Sequence, residues 1–529
     1  MVMRNSRNLI KYLVAGGVTL SSLEYLRRHD FNLSSIGLVR FGRAFAVAIN
    51  VFIDYKVSMY GVDSQQEDYQ ELKNKIHLRS AVKLRTLCCV NGGVFIKVGQ
   101  YVGALEYLLP KEYVETMKVL HNDAPQSSLQ DMCKVIKEDL GKDVGELFTS
   151  FSEKPIGAAS LAQVHKATLH DGTTVAVKVQ HADVQKHSYV DMKTMEFLLH
   201  IAARLFPEFR IVWLAEETKR NLPRELDFIL EGQNCERVAR MFAQFKFLKV
   251  PKVYWSLTTN RVLTMEFCEG GKVDDKEYMK QHDIDVDKIS KDLGKLYSEM
   301  IFVHGYVHCD PHPGNIFIHK TLQGQQEIVL LDHGLYQVMT DDFRLNYAMM
   351  WQSLINADIE GIKKYSEALG AGQLYGLLAC VLTARSWNAV TTGIGELEQT
   401  DAESDEIKEY ATVYLPQISE LLNNVPRQML LLLKTNDLLR GIEWTLQTRA
   451  NASSFINMSR CCVRALSNHQ LKSCDSWVSR TKIRVREMFT QRKIDLYEMY
   501  MWLRTTYFGS LIFQLFYGPQ KPVPVFSGF

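Results

Sequence analysis

The 529-residue chain has ten cysteines, and none of them falls in a C-x-x-C pair. A chain of this length buries a core without covalent staples, so the pattern excludes a disulfide scaffold. The adjacent pairs Cys88-Cys89 and Cys461-Cys462 read instead as reduced, mostly buried thiols. Charge of one sign is also lacking: 62 basic residues stand against 60 acidic ones. Without a polycationic footprint, nucleic acid is not an expected partner. No internal repeat is evident. The uncharged stretches near the two ends, Tyr12 to Leu23 and Thr505 to Gln520, both fall short of the roughly 20 residues that a helix needs to span a bilayer. Acidic residues are missing at the start, where none precedes Glu24, while Arg4, Arg7 and Lys11 recur at helical spacing among Ser6, Thr19, Ser21 and Ser22. That composition suits mitochondrial targeting; a secretory signal peptide, or an anchor that is kept, competes with it.

Against these absences stands the run His308 to Asn315, reading HCDPHPGN, followed by Asp332-His333-Gly334. An aspartate, an asparagine five positions later and an aspartate-x-glycine after a short hairpin form the order of a kinase's catalytic and metal loops. Phosphoryl transfer asks the protein for a carboxylate near the attacking hydroxyl and for oxygen ligands to the metal on the phosphates. Asp310, Asn315 and Asp332 fit those requirements. Pro311, Pro313 and Gly314 force an irregular loop between the apolar flanks Ile301 to Val307 and Ile316 to Ile318. A zinc site on His308, Cys309 and His312 is the competing reading, but no matching Cys/His pair lies elsewhere and zinc explains nothing upstream.

Upstream, Val175-Ala176-Val177-Lys178 closes a hairpin whose first arm runs from Leu161 to Leu169 and whose turn carries Asp171-Gly172, a two-residue turn signal. A lysine there can reach the phosphates of a nucleotide. Before it, Gly157-Ala158-Ala159-Ser160-Leu161-Ala162-Gln163-Val164 keeps the register of a G-x-G-x-x-G-x-V loop but carries alanine at its second and third glycines. Added methyl groups and lost backbone freedom predict nucleotide handling unlike that of ordinary kinases. The long segment ending in A-P-E that supports peptide substrates is absent: Gly334 runs through Leu335 to Met339 into Asp341-Asp342-Phe343 and a helical stretch, Leu345 to Asn356. This argues against a general protein kinase.

With these pieces in place, the chain resembles the UbiB-like (aarF domain-containing) atypical kinases over roughly Ile76 to Cys462. Lys97-Val98-Gly99-Gln100 matches the family's K-x-G-Q motif, Gly157 to Gln163 its alanine-rich loop and Glu225-Leu226-Asp227 its E-x-D motif. The resemblance implies that Glu231 orients Lys178, that Lys178 holds the phosphates, and that Asp310 is the base. It implies that Asn315 and Asp332 hold Mg2+, and that Gly157, Ala158, Ala159, Ser160, Ala162 and Gln163 line an ATP site. Lys97 and Gln100 would fold over that site and meet Glu225 and Asp227. Met265-Glu266-Phe267 would be the hinge whose backbone holds adenine. The family's tie to quinone and lipid metabolism implies a lipid or quinone-like ligand and an association with the inner mitochondrial membrane. Protein partners are not implied.

The expected fold is α+β, a two-lobed atypical kinase with a helical N-terminal extension. The divisions are a targeting segment (1–30), the extension (31–148), a small β-containing lobe (149–267), a helical large lobe (268–465) and a C-terminal helical tail (466–529). Helical periodicity marks Ala81 to Cys89, Val94 to Leu108 and Lys111 to Val119 in the extension, Val190 to Leu205 and Leu214 to Met241 in the small lobe, and Leu374 to Trp387 and Arg427 to Thr448 in the large lobe. Arg261 to Phe267 reads as a strand, and the acidic stretch Gln399 to Lys408 as a solvated loop. The aromatic-rich tail Tyr497 to Tyr517 suits either a core helix or a helix lying on a membrane. The functional expectation is a Mg-ATP-dependent kinase or ATPase, the alternative a nucleotide-binding scaffold without turnover, and a peptide-directed kinase comes third.

Overall fold

The computed structural model describes residues 36–62, 69–103, 109–121, 126–205, 212–392, 415–447 and 450–505. The targeting segment expected over 1–30, the acidic loop and almost all of the apolar run after Thr505 lie outside them. The chain divides into two compact units, one joining the residues up to Arg237 with Pro251–Cys268, the other joining Val238–Val250 with Glu269 onward. The fold is mostly helical, with small β-sheets and an N-terminal run of helices.

In the first unit the helices Gly37–Ser58, Tyr69–Asn91, Val94–Gly103 and Lys111–Lys118 bury Ala44, Leu87, Phe95, Ile96, Met117 and Leu120 against one another. Gly99 makes that packing close: a Cβ on it would fall 2.4 Å from Leu120 Cδ1 and 3.3 Å from Cys88 Sγ. The antiparallel sheet that follows runs Ser150–Phe151, Ala162–Thr168, Thr174–Gln180, Val262–Glu266, with Gly157–Ala158 paired to Ala162–Thr168. Strand alternation puts Val175, Val177 and Val179 into a core with Met132, Ile136 and Phe148, and therefore puts Ala176 and Lys178 on the other face. The hairpin turn is longer than the expected two residues. Leu169 N–H bonds Thr173 C=O (2.9 Å) and Gly172 N–H bonds Leu169 C=O (3.0 Å), which leaves His170, Asp171 and Gly172 as the loop. Gly172 takes the left-handed position (φ +84°) that this loop length requires.

The segment expected as one helix over Leu214 to Met241 is two helices, Val212–Glu225 and Phe228–Met241. The break has a local cause. Asp227 Oδ1 accepts from Ile229 N (3.1 Å) and Leu230 N (3.2 Å), so its carboxylate caps the second helix. The freed Leu226 carbonyl is taken by the Gln180 amide at 2.8 Å. The helix expected from Val190 begins earlier, at Val184.

In the second unit the Val286–Ser298 helix packs Ile289, Leu293 and Leu296 against Ile316, Ile318, Ile328 and Leu330 of a four-stranded sheet. That helix ends in a wider turn, Glu299–His304, closed by Gly305 at φ +60°; Arg344 donates to the buried Phe302 carbonyl at 2.6 Å. A second, two-stranded sheet pairs Tyr306–His308 with Tyr336–Val338. The helix expected over Leu374 to Trp387 is interrupted at Ala384, which sits at φ +52° between Tyr375–Thr383 and Trp387–Thr392. The division expected after residue 465 falls inside one helix, Ala450–Lys472. Among the described residues, no helix is long and apolar enough to cross a membrane.

Candidate active site

Lys178 lies in the central strand of the first unit's sheet, with Val164 and Leu263 as its cross-strand neighbours. Its ammonium meets Glu231 Oε1 at 2.6 Å and lies 5.1 Å from the centre of the buried Phe228 ring. Glu231 is 2% exposed, so the pair is desolvated on the carboxylate side. The Asp227 cap that starts the Phe228–Met241 helix also sets the position of Glu231, whose N–H bonds Asp227 C=O at 3.1 Å.

The alanine-rich loop is a tight hairpin, with Ala159 N bonded to Ala162 O at 2.8 Å. His181 pins it from outside. Its backbone N–H donates to Leu161 C=O (3.0 Å), its Nε2–H to Ala159 C=O (3.1 Å), and its Nδ1 accepts from the Ser127 hydroxyl (2.7 Å). Ser160 is buried. Gln163 is buried as well, with its amide spent on the Ser127 peptide (2.9 and 3.3 Å) and on His165 (2.9 Å). Its side chain therefore holds the loop to the preceding segment instead of facing outward.

His165 and His181 share a physical state: burial lowers the pKa of each below the usual imidazole value. As pH falls below about 6.5, the unfolded chain takes up protons that the folded chain refuses, and stability drops. The melting temperature is expected to be lower at pH 5.5 than at pH 7.5, and the His181→Asn variant is expected to show a smaller difference between the two. Equal melting temperatures at both pH values would contradict this.

The K-x-G-Q residues part company. Lys97 bonds Glu225 Oε2 at 2.7 Å, with side chains only 14% and 9% exposed, and Tyr101 O–H donates to Glu225 Oε1 at 3.0 Å. Gln100 does not meet Glu225 or Asp227; its amide donates to Leu120 C=O at 2.9 Å. It fixes the Val94–Gly103 helix to the neighbouring turn. Removing one partner of the Lys97–Glu225 pair leaves the other poorly hydrated. Lys97→Met is expected to cost about 3 kcal/mol by chemical denaturation, and Lys97→Met with Glu225→Gln less than the single change. A single-variant cost near zero would mean that the pair is effectively solvated.

At the expected hinge, Glu266 N–H bonds Lys252 C=O (2.8 Å) and Phe267 N–H reaches Thr174 C=O (3.4 Å), while the Lys166 ammonium stands 4.5 Å from the Phe267 ring centre.

In the second unit, the two short sheets carry the catalytic-loop motifs. Pairing of His308 with Tyr336, continued by Cys309 N–H to Leu335 C=O (3.1 Å), leaves Asp310 just beyond a strand end. The pairing of Leu330 with Ile316, continued by Leu331 N–H to Asn315 C=O (3.0 Å), brings Asn315 and Asp332 to the same end of a hairpin. Between them the loop is locked by Pro313–Asn315, a single tight turn in which His312 Nδ1 accepts from Gly314 N–H at 3.1 Å. Asn315 Nδ2 donates to Asp310 C=O (3.1 Å) and more distantly to its Oδ2 (3.4 Å). With Nδ2 so committed, the amide oxygen is the atom of this side chain that can serve as a ligand. Asp332 Oδ1 accepts from Gly334 N–H at 2.9 Å.

His308 ties these pieces together. Its Nε2–H donates to Asp332 C=O (2.8 Å) and its Nδ1 accepts from the Tyr297 hydroxyl (2.8 Å). Full burial lowers its pKa and keeps it neutral. Both nitrogens are thus committed, and burial pushes the Cys309 thiol up to about 12. Zinc on His308 and Cys309 therefore has no donors to use, and among the described residues no group of three or more His, Cys, Asp and Glu side chains could hold a metal. An amide oxygen and a carboxylate are instead the hard donors that suit Mg2+, which keeps several of its own waters.

Residues 119–366 match the ABC1 atypical kinase-like domain. The chain is 55% identical to AarF domain-containing protein kinase 1 of Gallus gallus, covering 94% of this chain and 95% of that protein. Identity to AarF domain-containing protein kinase 1 of Mus musculus is 56% across 93% of both, and to AarF domain-containing kinase 1 of Drosophila melanogaster 47% across 94% and 97%. The chain belongs to the ABC1/AarF atypical kinase family.

One contact at this atypical kinase site was not anticipated from the motifs. Lys434 Nζ bonds Asp310 Oδ1 at 2.8 Å. It comes from the Arg427–Leu446 helix, beyond the matched ABC1 domain. A lone lysine directly after Leu430–Leu433 was the available signal, and helical periodicity alone passes over it.

Proposed function

We propose that the chain binds Mg-ATP and transfers or hydrolyses its terminal phosphoryl group. The observation that carries this reading is the arrangement of Asp310, Asn315 and Asp332 on two hydrogen-bonded loops, with His308 on the Asp332 backbone carbonyl, Asn315 Nδ2 on that of Asp310, and Gly334 N–H on the Asp332 carboxylate. In this reading Lys178, oriented by Glu231, steadies the phosphates. Asn315 and Asp332 hold Mg2+, which neutralises phosphate charge when bound. Asp310 accepts the proton of the attacking hydroxyl or water. The Gly157–Gln163 hairpin lies over the nucleotide, and adenine sits beside the Glu266–Phe267 segment, where the Phe267 N–H, held only at 3.4 Å by Thr174 C=O, is the donor that can turn to it.

The acceptor is proposed to be small or lipid-like rather than a peptide. After Gly334 the chain enters the strand Tyr336–Val338 and then the helix Asp341–Ile355, capped by Thr340, so no extended peptide-binding segment follows the metal loop. A mitochondrial location, with association to the inner membrane and a lipid or quinone-like ligand, accords with the basic, acid-free N-terminus and with the family. Phosphate release by the full chain from Mg-ATP, with and without cardiolipin-containing vesicles or a soluble quinol analogue, tests the reading. Release above background that rises with one of these supports it, and release at background throughout contradicts it.

A second reading is a nucleotide-gated scaffold without turnover. It draws on the His181 pins, which restrict a loop that phosphate chemistry usually leaves mobile. ATP binding without release would select it.

A further inference from the structure

We propose that Lys434 is a functional side chain of the Asp310 centre: it positions the Asp310 carboxylate and supplies the positive charge beside the phosphoryl group in transfer. The inference rests on the reading of Asp310 as the base.

The Lys434 ammonium lies 2.8 Å from Asp310 Oδ1, while Oδ2 has the longer Asn315 contact at 3.4 Å. Of these two contacts, the one with Lys434 is the shorter and carries a full charge. Stability alone does not account for it. The pair is 18% and 27% exposed, more hydrated than Lys97–Glu225 at 14% and 9%, so its net contribution to stability is the smaller of the two. Its helix is anchored without it, by the buried Leu431, Leu432, Leu433 and Thr435. The next acidic group along the helix, Asp437, pairs with Arg440, whose Nη1 also donates to Leu382 C=O at 2.8 Å.

The chemistry explains the position. The hydroxyl or water that gives its proton to Asp310 is the one whose oxygen bonds phosphorus as the bond from phosphorus to the leaving diphosphate breaks. A cation in contact with Oδ1 therefore stands beside the phosphoryl oxygens as their charge redistributes. Between Asp310 and Asn315 the loop offers only Pro311, His312, Pro313 and Gly314, with no lysine or arginine. The permanent charge comes from the later helix, so the ABC1 domain as matched, residues 119–366, does not contain the whole centre.

The test compares Lys434→Met and Lys434→Arg in the full chain by phosphate release at saturating Mg-ATP, ATP affinity and melting temperature. Lys434→Met is expected to lower turnover about 100-fold with ATP affinity kept within about threefold, and Lys434→Arg to recover much of the loss. Wild-type-like turnover in Lys434→Met overturns the proposal and leaves the reading of Asp310 standing. Equal losses of turnover in both variants, with affinity or melting temperature falling in parallel, also overturn it, because they mark a structural role. If Lys434→Met does not fold, Lys434→Gln takes its place under the same criteria. A wild-type chain that binds Mg-ATP but releases no phosphate overturns both the proposal and the enzymatic reading.

Discussion

Asp332→Asn is expected to remove Mg2+-dependent ATP binding while leaving the metal-free protein folded. The substitution preserves shape, so an amide oxygen can still accept from Gly334 N–H and the backbone carbonyl still receives His308. What disappears is the negative charge. Hard divalent cations rely on carboxylates, and loss of residues that merely support a ligand already costs about 10–100-fold in metal affinity. Loss of the ligand itself is expected to cost at least about 100-fold, read as the ATP dissociation constant at fixed Mg2+. Binding that survives unchanged would remove Asp332 from the metal site.

Asp310→Asn separates chemistry from binding. The amide keeps a hydrogen-bonding oxygen for Lys434 but no longer accepts a proton, so turnover is expected to fall by about 100-fold to 10,000-fold with ATP affinity retained. Stability should change little, since the Asp310–Lys434 pair is partly hydrated. Turnover within a few-fold of wild type would mean that another group takes the proton or that the phosphoryl transfer needs no base.

The motifs readable in the sequence are those whose chemistry is local. Pro311, Pro313 and Gly314 dictate the turn after Asp310 whatever surrounds it, and Val175, Val177 and Val179 dictate which face of the strand carries Lys178. Contacts made over long separations were not readable. Lys434 stands 124 residues from Asp310, and nothing in the spacing of a leucine-rich helix says which turn of it meets the catalytic loop. Asp227 shows a subtler limit. As part of an E-x-D motif it is expected to meet Lys97 and Gln100, but an aspartate directly before a helical run is also a strong cap, and here the cap prevails. Gln163 follows the same pattern: expected near a ligand, its side chain is spent on the Ser127 peptide, because buried peptide groups must be satisfied first.

Titration of ATP into the full chain, at fixed excess Mg2+ and again after chelation with EDTA, tests the central claim most directly. Saturable binding with Mg2+, weakened at least about tenfold on chelation, is the expected result, because the oxygens of Asn315 and Asp332 act on phosphate through the metal. No binding under either condition would contradict the assignment of this site to a nucleotide, and equal binding under both would contradict the metal's place in it.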